Sequence, residues 1–184
     1  MLKKKYAKGI ELRGKTLGIL GFGRIGQALA SYALGCGMNV LACDIVGGPF
    51  DIEVSVSGQK VNANVQGVSK EQLLKQSDFL SVHIPSTDKP VIGSTEFEKM
   101  KDGSIILNAA RGGSIDEDAL LEALNSGKIT HAVLDVFVNE PTPRADVLAH
   151  SKISLSPHIG AATAEAQDRI GGELASIIRE FYGR

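Results

Sequence analysis

The stretch "GILGFGRIGQALA", Gly18 to Ala30, restricts the fold more than any other part of the chain. Three glycines, Gly21, Gly23 and Gly26, follow the apolar run Thr16–Leu20 and lead into a segment in which Ile25, Leu29 and Ala33 recur near the helical period. Gly35 and Gly37 mark the end of that helix, and a second apolar run, Asn39–Cys43, ends at Asp44, 18 residues past Gly26. Strand, glycine turn, helix, strand and a terminal acid together describe a dinucleotide site. Gly21 permits the tight turn, Gly23 lets the backbone approach a pyrophosphate, and Gly26 lets helix and strand pack closely. The helix start offers unpaired N–H groups to the phosphates. A carboxylate at Asp44 accepts hydrogen bonds from the adenosine ribose and repels a 2′-phosphate, and Ile45 follows it in place of an arginine. NAD is therefore expected over NADP. An S-adenosylmethionine methyltransferase could share this turn and acid, so the second half of the chain has to decide.

The order of elements continues the pattern. Phe50 to Val65 alternates apolar and polar residues around Ser57-Gly58-Gln59, a hairpin signal placed at a sheet edge or projecting from it. Helices are expected over 69–76, with Ser69 and Gln72 as a capping box, 94–100, 116–125 and 162–181. Strands are expected over 79–82, 104–107, 131–136 and 153–155. Strands alternating with helices imply an α/β fold, a Rossmann-type doubly wound parallel sheet with a β-hairpin insertion near residues 50–65. Residues 1–14 read as a lead-in, and 15–184 as one nucleotide-binding domain.

Composition narrows the partners. A net charge of −1 makes no electrostatic case for nucleic acid, and the run Lys3-Lys4-Lys5 is too short to change that. No apolar segment approaches the roughly 18 residues that span a bilayer, and no apolar stretch follows the basic start as a secretory signal requires. A cytoplasmic protein is the default expectation. Cys36 and Cys43 sit among apolar neighbours and read as reduced, buried structural thiols. His131 and His150 lack metal-ligand spacing, so no metal is assigned.

Three polar signals stand just past three consecutive apolar runs: Arg111 after Leu107, Asp135 with Glu140 after the next, and His158 after the last. Ligands of open α/β sheets bind outside the carboxyl ends of the strands, so these groups could converge. The pieces "RGKTLGILGFGRIGQ", "DFLSVHIP", "MKDGSIILNAARGGSIDEDALLEAL", "LDVFVNEP" and "LSPHIGAATAEAQ" occur in that order from about Glu11 to about Arg179. In them the sequence resembles the D-isomer-specific 2-hydroxyacid dehydrogenases, most closely the D-3-phosphoglycerate dehydrogenase branch of serine biosynthesis. The resemblance implies NAD-dependent hydride transfer between a 2-hydroxy acid, 3-phosphoglycerate in that branch, and its 2-keto acid. It implies that His158 is the acid–base group, that Glu140 bonds its other ring nitrogen, and that Arg111 binds the substrate carboxylate with a planar fork. It further implies that Asp135 holds the nicotinamide carboxamide and that Arg24 and Ile25 meet the pyrophosphate. Ile84, Ala109 and Ala110, with Gly160 and Ala161 after the histidine, match positions lining the cofactor cleft. His83 suits either a cleft-lining or a structural role, Asp116 reads as a helix N-cap, and Asp78 as a cap or turn residue.

The same resemblance implies a substrate-binding lobe ahead of Lys15, and only about 14 residues stand there. The expectation is a chain that binds NAD with weak or no turnover by itself. Relatives of this fold that act as NAD-responsive corepressors provide the alternative, an interaction module. The family's habit of pairing through nucleotide domains implies a homodimer.

Overall fold

Parallel hydrogen-bonded strands joined by covering helices organise the computed structural model, which describes residues 9–183. The Lys3-Lys4-Lys5 run and most of the lead-in lie outside the described residues. The strands are β1 (Thr16–Leu20), β2 (Asn39–Cys43), β3 (Phe50–Val56), β4 (Gln59–Gly67), β5 (Phe79–Val82), β6 (Ser104–Asn108), β7 (Ile129–Leu134) and β8 (Ile153–Leu155). The helices are α1 (Arg24–Gly35), α2 (Lys70–Gln76), α3 (Ser94–Lys99), α4 (Glu117–Ser126), α5 (Ala145–Ala149) and α6 (Ala164–Tyr182). One sheet takes the order β3-β4-β2-β1-β5-β6-β7-β8. Every neighbouring pair is parallel except β3–β4.

Apolar side chains fill both faces of the sheet, as a doubly wound sheet requires. On one side Ile19, Val40, Ile52 and Val65 form a cluster with Ala30 and Ala33 of α1. On the other, Leu73, Leu80, Ile106, Leu120 and Ile129 belong to a larger cluster that takes in α2, α3 and α4. Local chemistry sets the helix starts. The capping box at Ser69 forms, with the Gln72 amide donating to Ser69 Oγ and the Ser69 amide to Gln72 Oε1, both at 3.2 Å. Asp116 Oδ1 accepts the Asp118 and Ala119 amides at 3.0 and 3.1 Å. Asp78 serves as an anchor between elements, accepting the Thr16 amide at 2.8 Å and pairing with Lys101 at 2.9 Å.

The hairpin forms at the sheet edge with Ser57 and Gly58 at its turn, both at positive φ. Its second strand bends at the base, so that Gln66 and Gly67 pair parallel with Leu41 and Ala42. The hairpin therefore also occupies the next parallel position, and Phe50 lies 4.7 Å, ring to ring, from Phe22 in the glycine turn.

Three details depart from the sequence reading, and a fourth is not addressed by it. β7 runs over Ile129–Leu134, two residues earlier than expected, because Ile129 pairs with Ser104 through an irregular register. The five-residue α5 has no counterpart among the expected helices; so short a helix carries almost no periodic signal. Cys36 is exposed at the end of α1 rather than buried. Helix α6 caps on Thr163 as a helix should, with the hydroxyl accepting the Ala166 amide at 3.1 Å, yet it buries none of its residues. Ile170, Leu174, Ile177, Ile178 and Phe181 stay exposed along it. No described helix is long and apolar enough to cross a membrane.

Since α6 adds no buried side chain, removing residues 164–184 should barely affect the core. The shortened chain should unfold in urea within about 1 kcal/mol of the full chain, the range of changes made away from packed features. A larger loss would show that α6 carries part of the fold.

Candidate active site

The glycine turn is shaped by contacts that admit no side chain. Gly21 has φ +91°, and a Cβ there would stand 2.5 Å from the His83 carbonyl oxygen. A Cβ on Gly26 would stand 2.5 Å from the Gly21 carbonyl oxygen, so α1 is pressed onto the turn. Gly23 faces open space instead, with nothing within 4 Å of the place a Cβ would take. Tight at two glycines and open at the middle one, the turn can admit a phosphate against bare backbone.

Beside the turn lies a cleft of about 540 Å³ bordered by Gly21, Gly23, Asp44, Ile45, His83 and Ile84. Asp44 ends β2 as expected and also braces the turn. Its Oδ2 accepts the Phe22 amide at 2.6 Å and its Oδ1 the Val46 amide at 3.2 Å. A carboxylate has about four acceptor sites, so room remains on both oxygens for ribose hydroxyls. His83 is held by Ser81, Nε2 to Oγ at 2.8 Å, and burial lowers its pKa. That favours a neutral, structural imidazole, although its Nδ1 is buried without a partner. Ile25 is exposed at the start of α1. Arg24 is exposed and pairs with Glu173 of α6 at 2.8 Å.

The second group of residues gathers where β6, β7 and β8 end side by side. After β6, the buried Asn108 folds the loop on itself: Oδ1 accepts the Ala110 amide at 3.1 Å, and Nδ2 donates to the Arg111 carbonyl at 3.0 Å. This presents Ala109 and Arg111 outward, with Arg111 Nη1 donating to the Ala110 carbonyl at 2.6 Å. Asn108 is absent from the residues that the sequence singles out, although an Asn at a strand end is a common device for such turns.

After β7, Asp135 is buried and accepts three hydrogen bonds from the segment that follows β8. These come from Ser156 Oγ at 2.6 Å, the Ile159 amide at 2.9 Å and the Gly160 amide at 2.9 Å. Burial pushes its pKa up, but the three donors and nearby His158 outweigh that and hold it below the usual aspartate range. Ala161 continues this segment and accepts from Gln167 through its carbonyl at 3.3 Å. Between Ser156 and Ile159 the chain bends through His158, which adopts φ +54°. His158 Nδ1 meets Glu140 Oε2 at 2.7 Å, and Glu140 Oε1 accepts the Phe137 amide at 2.8 Å. Nε2 of His158 makes no hydrogen bond among the described residues and belongs to a half-exposed ring. Beside the pair, Phe137, Pro141, Leu148, Leu155 and Pro157 border an apolar hollow of about 460 Å³.

The geometry thus combines a glycine open to space at a helix start with a half-exposed histidine–carboxylate pair. An arginine stands on the neighbouring loop. Comparison with known proteins gives the family. Residues 2–160 match the family model described as "D-isomer specific 2-hydroxyacid dehydrogenase, NAD binding domain". The chain belongs to this family. A hydroxypyruvate reductase from Thermotoga maritima is 45% identical across 98% of this chain and 57% of its own length. A D-3-phosphoglycerate dehydrogenase from Archaeoglobus fulgidus is 43% identical across 96% of this chain and 32% of its own length. The crystal structure of a glyoxylate reductase from Paecilomyes thermophila superimposes with a TM-score of 0.75 at 38% identity, covering 89% of this chain and 48% of that one. The chain therefore spans about half the length of the two reductases and about a third of the dehydrogenase.

One solution property follows from the histidine–carboxylate pair. The His158 hydrogen bond, then the Phe137 amide, lower the pKa of Glu140. A depressed folded-state value means that the pair stabilises the fold above the ordinary glutamate pKa, about 4.3. That stabilisation is lost as the pH falls through the depressed value. Carbon-detected NMR should show the Glu140 carboxyl titrating below the usual glutamate range, and His158→Ala should move its midpoint upward. An unchanged midpoint would mean that the pair does not form in solution.

Proposed function

We propose that this domain is the NAD-binding half of a D-2-hydroxyacid dehydrogenase in which Arg111, Glu140 and His158 act on the substrate. The observation that carries the reading is the 2.7 Å His158–Glu140 contact, which leaves Nε2 free at the end of β8. The turn fits the cofactor: Gly23 opens onto space, and Asp44 stands at the end of β2 with acceptor sites to spare. Bound NAD would supply the hydride acceptor.

The chain's own residues supply the proton chemistry. Neutral His158 takes the hydroxyl proton of a 2-hydroxy acid at Nε2, and in the reverse direction the imidazolium returns it to the keto oxygen. Glu140 fixes the ring through Nδ1 and compensates its positive charge. Arg111 offers a planar fork to the substrate carboxylate. Asp135 orders the bend at His158 and keeps acceptor capacity on Oδ2 for a carboxamide N–H. Ile84, Ala109, Ala110, Gly160 and Ala161 contribute wall and backbone. Arg24 engages Glu173 through Nη1 alone, which leaves its other donors for the pyrophosphate.

For the substrate we propose 3-phosphoglycerate, in keeping with the resemblance of the ordered motifs and with the name of the relative from Archaeoglobus. The hydroxypyruvate reductase at 45% identity favours a second reading, a shorter 2-keto acid without the phosphate. A cytoplasmic homodimer completes the proposal, supported by the family resemblance. A corepressor-like module gains nothing from these relatives, which are named as a dehydrogenase and two reductases.

Calorimetry should detect NAD binding, much weaker binding of NADP and none of S-adenosylmethionine. Asp44→Ala should weaken NAD by at least about tenfold, the value of one or two lost charge-assisted hydrogen bonds. Melting curves should accompany this, because Asp44 also holds the Phe22 amide. Preference for NADP would overturn the cofactor assignment.

Turnover should be assayed as reduced-nicotinamide absorbance with 3-phosphoglycerate against hydroxypyruvate and glyoxylate. Whatever rate is found, His158→Ala should reduce it by roughly two to four orders of magnitude with NAD affinity intact. A near-normal rate in that variant would return His158 to a structural role.

A further inference from the structure

Glu117 takes no part in the proton chemistry proposed for the site, yet it sits where a carboxylate is hard to keep. It opens α4 directly after the Asp116 cap and is only 8% exposed, and with Asp135 it makes up the buried charged residues among those described. No lysine or arginine among the described residues pairs with it. A buried carboxylate is costly unless hydrogen bonds meet its charge. Oε2 of Glu117 is buried without a partner, while Oε1 accepts a single hydrogen bond, from the Val138 amide at 3.0 Å. The start of a helix favours a negative charge to some degree. That does not explain why the side chain turns inward to one particular amide.

The identity of that amide is informative. Val138 follows Phe137, whose own amide donates to Glu140 Oε1 at 2.8 Å. Two residues later the other oxygen of Glu140 meets His158. The loop between these points is sharply bent, with Asn139 at φ +60°. On its other side it rests against the loop that carries Arg111: a Cβ on Gly112 would fall 1.8 Å from the Phe137 carbonyl oxygen. Backbone thus meets backbone at Gly112, and Glu117 grips the N–H of that same peptide from the helix that follows the same loop.

We propose that Glu117 is a positioning residue, a buried acceptor that pins the Val138 amide and so holds the 137–140 loop where Glu140 reaches His158. Gly112 forms the opposing wall. This rests on the roles proposed for Glu140 and His158. In that arrangement the Arg111 loop and the Glu140 loop share one support, and Glu117 acts through the peptide backbone without touching substrate or cofactor.

The test uses the full chain and compares Glu117→Ala, Glu117→Gln and His158→Ala. The readouts are the Glu140 carboxyl titration and the exchange rate of the Val138 amide, both by NMR. His158→Ala sets the reference upward shift of the Glu140 midpoint. Glu117→Ala should reproduce at least about half of that shift and speed Val138 exchange by about tenfold or more, as loss of a hydrogen bond to a charged acceptor implies. Glu117→Gln retains an acceptor oxygen and should restore the Glu140 midpoint. NAD affinity should stay unchanged in both Glu117 variants. A folded Glu117→Ala chain with an unmoved Glu140 midpoint, beside a His158→Ala chain that shifts, would overturn the positioning role alone. If His158→Ala also leaves the midpoint unmoved, the pair itself is absent and the proposal falls with it. Should Glu117→Ala fail to fold, the unsubstituted chain still decides. A through-hydrogen-bond coupling between the Val138 amide nitrogen and the Glu117 carboxyl carbon is expected, and its absence would overturn the contact.

Discussion

Parallel pairing of β2, β1, β5, β6, β7 and β8 brings all their carboxyl ends to one edge of the sheet. A parallel ladder can be closed only by crossovers, and the helices that make them bury the sheet on both faces. The loops at the carboxyl edge are then the segments left free of core duty. The glycine turn, the Arg111 loop, the Glu140 loop and the bend at His158 all leave the sheet there. Groups far apart in sequence become neighbours for that reason alone.

A sheet edge does not by itself give loops a shape, and here carboxylates do much of that work. Asp78 takes the amide of Thr16, Asp44 that of Phe22, Asp135 those of Ile159 and Gly160, Glu140 that of Phe137, and Glu117 that of Val138. Hydrogen bonds to an ionised acceptor are stronger than neutral ones, and each satisfies a main-chain donor that the ladder cannot reach. The same acids could serve a ligand because an ionised carboxylate has more acceptor sites than one amide fills. Asp44 illustrates this economy, holding the turn while bordering the cleft.

Helix α6 shows where such local logic stops. Its apolar residues recur at Ile170, Leu174, Ile177 and Phe181, the spacing of one helical face. From sequence the segment reads as the long final helix of the chain. In the structure the face meets no core, and the Arg24–Glu173 pair ties the helix to α1. An amphipathic period says that one face favours burial; it carries no information on what lies opposite.

The sequence by itself determined the class of fold, the glycine turn with its acid, and the polar residues worth watching at strand ends. Those features depend on short-range chemistry: period, turn conformation and capping, all set within a few residues. Ser69 with Gln72 and the Ser57-Gly58 turn were readable for that reason. Only the tertiary structure decided that His158 bends at positive φ and that Asp135 serves as the anchor of that bend. It alone showed that Asn108 folds the Arg111 loop and that Glu117 grips Val138. Hydrogen bonds spanning 18 to 25 residues, such as those of Glu140, Asp135 and Glu117, exist only once neighbouring strands are in register. No local pattern in the chain encodes which amide a distant carboxylate will meet.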